Sequence, residues 1–150
     1  MHIRLAQAAD AGAIASLYHE LVDDPAITVL PEQIEQLAAN PDQALLVVEQ
    51  QDSLLATVHL QFCPDTMYAR QPYALLENLV VAASARGQGI GALLLAEVER
   101  RCLARDCSKI MLLSTASRLD AHRFFAAQGY DGERKRGFVK YRRNFRSDAI

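Results

Sequence analysis

The chain has 150 residues with a formal net charge of −2; 51% of them are apolar and 23% charged. That balance suits one domain spanning residues 1–150 with a core of its own, and it excludes a disordered chain and a dedicated nucleic-acid binder. No run approaches the roughly 18 apolar residues of a membrane span, and three cysteines without a CxxC pair, with no secretory leader, predict a reducing cytoplasmic setting.

The total hides an asymmetry. Residues 1–80 carry two basic and eleven acidic side chains, net −9, and the remainder is net +7. The split suits an anionic client for the C-terminal half and a cationic one for the N-terminal half; solvated surface charge gives the same pattern.

Residues 2–6 read as a first strand. Asp10 is expected to cap a helix whose apolar face is Ile14, Leu17, Tyr18 and Leu21, stopped by Asp23-Asp24-Pro25. Pro31 opens a second helix, with Ile34, Leu37 and Ala38 inward and Asn40-Pro41 at its end. Residues 44–49 and 54–62 read as strands joined by the polar turn 50–53. In the second, Ala56, Val58, Leu60 and Phe62 share one face, and Thr57, His59 and Gln61 the other. Residues 63–72 form the longest irregular piece. Residues 73–81 (YALLENLVV) are nearly continuously apolar, as in a central strand covered on both sides. From Gly89 a helix runs to about Arg105, with Ile90, Leu94, Val98 and Cys102 at i+4 intervals, and residues 109–114 form the next strand. Ser117 and Asp120 predict a capping box for a short helix through Phe124 and Phe125, ended by Gly129. A last strand over 138–143, pairing with one near 130–134, completes an α/β domain with a mixed sheet.

The chemistry concentrates where the apolar strand leads, after five residues, into RGQGIG (Arg86–Gly91) at a helix start. Glycines let backbone amides approach an anion at the positive end of a helix, and Arg86 adds a bidentate phosphate donor. Gly87, Gly89 and Ala92 also satisfy G-x-G-x-x-G/A. Five residues between strand and glycines are too many for the tight dinucleotide turn, and Asp106 precedes the next strand instead of ending it. The Gly-Lys-Ser/Thr ending of a P-loop is missing, and there is no G-x-S-x-G elbow for a Ser-His-Asp hydrolase. A loop that merely turns the chain is the bland alternative.

RGQGIG resembles the Q/R-x-x-G-x-G/A motif of the GNAT superfamily of N-acetyltransferases, with Arg86, Gly89 and Gly91 on its defined positions. ENLVV before it and AHRFFAAQGY (Ala121–Tyr130) after it are similar to that family's central strand and its later helix–strand segment. The resemblance implies a GNAT-like mixed, mostly antiparallel sheet flanked by helices, with a splayed central strand. It implies acetyl-CoA as cosubstrate: the arm paired with the backbone of Leu79, Val80 and Val81, and the pyrophosphate on the amides of Arg86, Gly87, Gln88, Gly89, Ile90, Gly91 and Ala92. Ser117, His122, Phe124 and Phe125 are expected beside the thiol end. The basic half of the chain then holds the anionic cosubstrate.

Acetyl transfer to an amine needs a proton acceptor, and Glu77, in an apolar strand with Leu75, Leu79 and Val81 on its face, is expected to be buried and so tuned as a general base. The amide of Val81 is expected to meet the oxyanion. The family pattern has Tyr after the Phe, whereas this chain has Phe124-Phe125, so the expected acid is absent; water, Ser117 or Tyr73 are the substitutes. His59, Asp23 and Asp24 are candidates for the acceptor pocket. The four histidines and three cysteines show no metal-ligand spacing, so no metal is expected. The basic stretch 133–146 reads as a charged edge hairpin and not as a nucleic-acid site. The expected activity is direct acetyl transfer from acetyl-CoA to a primary amine, of a small molecule or a peptide, in the cytoplasm, with no nucleic acid or membrane partner and a homodimer through the C-terminal strands. The alternative is an acyl-CoA-binding sensor or assembly subunit of weak activity, which Phe125 favours and Glu77 disfavours.

Overall fold

The computed structural model describes residues 1–147. They form two compact units, one of residues 1–112 and one starting at Leu113.

The first unit is built on a five-stranded sheet in sequential order. Its strands are β1 (His2–Leu5), β2 (Gln43–Gln50), β3 (Ser53–Cys63), β4 (Tyr73–Val81) and β5 (Ile110–Leu112). The first three junctions are antiparallel and β4–β5 is parallel, which is the mixed, mostly antiparallel sheet expected from the sequence. Gln51 and Asp52, both with positive φ (50° and 61°), make the tight β2–β3 turn.

Helices α1 (Ala11–Leu21) and α2 (Pro31–Ala39) cover one face of the sheet. Ile14 and Ile34 pack there with Ala6, Ala11, Leu45 and Val47, and Tyr18 and Leu37 join the cluster. By register that face continues through Thr57, His59, Glu77 and Val80. The long helix α3 (Ile90–Ala104) buries Ile90, Leu94, Leu95, Val98 and Cys102. It packs on β3 and β4 from the opposite side, where Leu46, Val58, Leu60 and Leu76 are at most 2% exposed. Beyond its end the Arg105 guanidinium lies 4.4 Å over the Phe62 ring. Burying both faces with apolar side chains is the main stabilisation of this unit.

Asp10 stands at the N-cap position of α1, as expected, but its side chain bonds no amide of that helix. Its carboxylate receives two bonds from Arg4 (2.7 and 3.0 Å) and one from the Gln7 amide (2.7 Å), and Arg4 also grips Glu49. A buried carboxylate is better satisfied by a guanidinium fork than by one helix amide. The Arg4 bonds hold the Asp10 carboxyl below its ordinary range.

In the second unit, α4 (Leu119–Ala127) is the helix expected around Phe124 and Phe125. The Ser117 capping box does not form: Arg118 is the N-cap, and Asp120 pairs with Arg123 one turn on. The two C-terminal strands are also absent among the described residues. The reason is local. Asp131 Oδ1 accepts from the amides of Glu133 and Arg134, turning the chain where a ladder was to begin. Phe138 and Val139 are adjacent, so the apolar residues lack strand alternation, and both stay exposed.

Candidate functional site

β4 has two halves. From Ala74 to Leu76 it pairs with β3 on one edge and β5 on the other; beyond Leu76 the β5 ladder stops. Ala82 N–H donates to the Leu55 carbonyl at 2.8 Å, so by strand alternation the Val81 amide points away from β3, to the edge that β5 has left. Among the described residues no strand pairs with the outer edge of Leu79–Val81, which leaves backbone donors and acceptors there.

A one-residue bulge starts this open half. Thr57 faces Val80 and His59 faces Glu77, so two steps along β3 match three along β4. The extra residue falls at Asn78, in the left-handed region (φ 57°), where Asn is better tolerated than other non-glycine residues. From α1, Tyr18 hydrogen-bonds the Asn78 side chain, and burial pushes the Tyr18 phenol pKa up.

The bulge corrects the expectation for Glu77. It shares its face with Leu75 and Val80, not with Leu79 and Val81, and it is exposed. It is not the buried carboxylate that strict alternation predicts. What the fold adds is a neighbour: His59 stands directly across the ladder, half-buried, its Nε2 donating to Gln43 Oε1 at 2.6 Å. Burial holds the His59 pKa below its usual value.

After Val81, a 3-10 turn (Ala83–Ala85) leads to the glycine loop. Gly87 and Gly89 both sit at φ 77°, a conformation that L side chains rarely adopt. Gly89 is the N-cap of α3 and no side chain caps that helix. The first intrahelical bond runs from Leu93 N–H to Gly89 O (3.0 Å), so the amides of Ile90, Gly91 and Ala92 lack helical acceptors. Residues 86–89 are exposed. The result is a set of convergent amides at the positive end of a helix, suited to a phosphate group. Arg86 Nε donates to the Val81 carbonyl (3.1 Å), and its guanidinium lies 3.9 Å from Glu20 of α1.

Asp23 and Asp24 lie exposed between α1 and α2, and Asp24 Oδ1 accepts from the Ala26 amide, a turn contact. Tyr73 opens β4 eight residues before Val81, about 26 Å along the strand, too far from the Val81 amide to serve as the acid there. An open depression of about 370 Å³ lined by Tyr68, Arg70, Arg105 and Asp106 lies past the opposite end of α3 from the glycine loop and is a separate feature.

In the second unit, His122 Nε2 donates to the Thr115 carbonyl at 2.9 Å, which fixes that tautomer. Phe124 and Phe125 are half-buried, and Phe125 meets Tyr130 edge-on with ring centres 6.0 Å apart. Ser117 is exposed.

Sequence reasoning missed Glu20, Tyr18 as a polar partner, and Asn78. Only Asn78 left a signal, as a turn-tolerant polar residue inside an apolar strand. No metal-holding cluster of His, Cys, Asp or Glu occurs among the described residues, and none of their helices is long and apolar enough to cross a membrane.

Residues 14–130 match the model of the Acetyltransferase (GNAT) family. Among solved structures, the chain is similar to a provisionally assigned acetyltransferase from Agrobacterium tumefaciens str. C58: 26% identity, TM-score 0.85, covering 94% of this chain and 99% of that one. It shares its fold with the glucosamine-6-phosphate N-acetyltransferase of Arabidopsis thaliana (19% identity, TM-score 0.79, 93% and 97% covered). It does so too with the aminoglycoside 6'-N-acetyltransferase AAC(6')-IG of Acinetobacter haemolyticus (16% identity, TM-score 0.74, 94% and 98% covered). No curated protein sequence matches the chain.

Proposed function

Since the chain belongs to the GNAT acetyltransferase family, we propose that it transfers the acetyl group of acetyl-CoA directly to a primary amine. The observation that carries the reading is the open edge of β4, which runs without a strand partner from beyond Leu76 to the glycine loop and the uncapped start of α3. An extended amide-bearing arm ending in a pyrophosphate fits that sequence of features: backbone pairing along Leu79–Val81, then the amides of residues 86–92. The match over residues 14–130 takes in residues of both units, and the family resemblance is the ground on which Ser117, His122, Phe124 and Phe125 of the second unit are proposed as cosubstrate residues. Three free thiols suit a reducing cytoplasm.

The cosubstrate supplies a thioester, whose C–S bond breaks as the C–N bond forms. The Val81 amide, aimed at the open edge, stabilises the negative charge that develops on the carbonyl oxygen. Glu77 takes a proton from the acceptor's ammonium group, directly or through one water, and the amine so freed attacks the thioester carbonyl. His59, beside it on the same face, and Asp23 and Asp24 are proposed to meet the acceptor. With Phe at position 125, water protonates the departing thiolate. A cationic or polar amine is the favoured acceptor class; two fold relatives are named for amino sugar derivatives, which supports that choice.

The test is thiol release from acetyl-CoA against a broad amine panel, with protein-free controls and calorimetric binding of acetyl-CoA in the same samples. Amine-dependent release is expected. Binding without release from any amine would overturn the transferase and leave a sensor.

A further inference from the structure

The last turn of α1 carries a carboxylate with no part in the chemistry above. Glu20 Oε2 accepts a 2.7 Å hydrogen bond from the amide of Ala83, the first residue of the turn between β4 and the glycine loop. The same oxygen lies 3.9 Å from the guanidinium of Arg86, which closes that turn and reaches back to the Val81 carbonyl. One side chain from a distant part of the sequence thus touches both ends of residues 83–86. Yet a carboxylate beside an anion-binding loop repels the anion.

The geometry resolves this conflict. The amide bond is short and charge-assisted, a durable contact. The ion pair is long, and its partners are 58% and 40% exposed, so it is weak and easily exchanged. We infer that Glu20 is a positioning residue of the cosubstrate loop. It anchors the turn through the Ala83 amide and parks the Arg86 guanidinium, which the pyrophosphate takes over on binding. The inference rests on the acetyl-CoA reading above.

Two substitutions separate the two tasks. Glu20→Gln keeps an oxygen for the Ala83 amide and removes the charge; Glu20→Ala removes both. Acetyl-CoA is titrated calorimetrically into wild type, both variants, Arg86→Ala and the Glu20→Gln/Arg86→Ala double variant, with thermal melts of each. Glu20→Gln is expected to bind about threefold more tightly than wild type. Glu20→Ala is expected to bind about fivefold more weakly than Glu20→Gln. The gain from Glu20→Gln is expected to vanish in the Arg86→Ala background. Should Glu20→Ala lose fold stability, the Gln and Arg86 cycle decides alone. Equal affinity of wild type and both Glu20 variants overturns the role of Glu20 and leaves the acetyl-CoA reading standing. A gain that persists without Arg86 overturns the parking of the guanidinium. Absence of binding by wild type overturns the acetyl-CoA reading, and the inference with it.

Discussion

The two halves of β4 belong to one strand and have opposite fates. Residues 74–76 lie between two strands, with Ala74 and Leu76 at most 2% exposed. Residues 77–81 keep β3 but have lost β5; Glu77 is exposed, and a bulge at Asn78 rephases the residues that follow. The difference lies in the backbone. A strand paired on both edges has spent its donors and acceptors, whereas one open edge keeps a row of them for a ligand.

The paired half is expected to serve stability alone. Leu76→Ala removes buried volume from the α3 side of the sheet and should cost about 2–5 kcal/mol in urea unfolding, with little change in turnover per folded molecule. A cost below about 1 kcal/mol would mean that this half is not the core it resembles. The open half is expected to serve chemistry. Glu77→Gln should lower kcat by about 100-fold or more at unchanged acetyl-CoA affinity and melting temperature; undiminished kcat rules Glu77 out as the base.

The boundary between the halves can be tested at Asn78. Asn78→Val puts a β-branched residue at φ 57° and should cost about 1–2 kcal/mol, while Asn78→Gly should cost less. Equal costs would show that the left-handed residue is not what sustains the bulge. The smallest effect concerns His59, whose folded pKa is depressed by burial. Its contribution to stability is complete above the unfolded value of about 6.5 and declines as pH falls through the folded one. Glu77 across the ladder and the Gln43 contact face the ring. Replacing His59 with Gln should flatten the stability profile as pH falls below about 6.5; an unchanged slope would assign that region to other groups.

Much of the scaffold was legible because it follows from local periodicity. Alternation over residues 54–62 marks β3, the i+4 stripe from Ile90 to Cys102 marks α3, and the clustered glycines mark a loop needing positive φ, realised at Gly87 and Gly89. The same periodicity misled at Glu77. Strict alternation carries its face to Leu79 and Val81, but one extra residue at Asn78 rephases the strand. It misled again at the C-terminus, where Phe138, Val139 and Tyr141 promised a strand and the Asp131 turn took the amides.

The sequence by itself determined which segments are helices and strands in the first unit, where an anion can meet a helix start, and the family to which these belong, since each depends on residues close in the chain. Only the tertiary structure decided that β5 stops at Leu76, that His59 faces Glu77, and that Glu20 reaches Ala83 and Arg86. Those are pairings between residues up to 66 positions apart. Their geometry is set by how strands register and how α1 crosses them, and no local pattern records it.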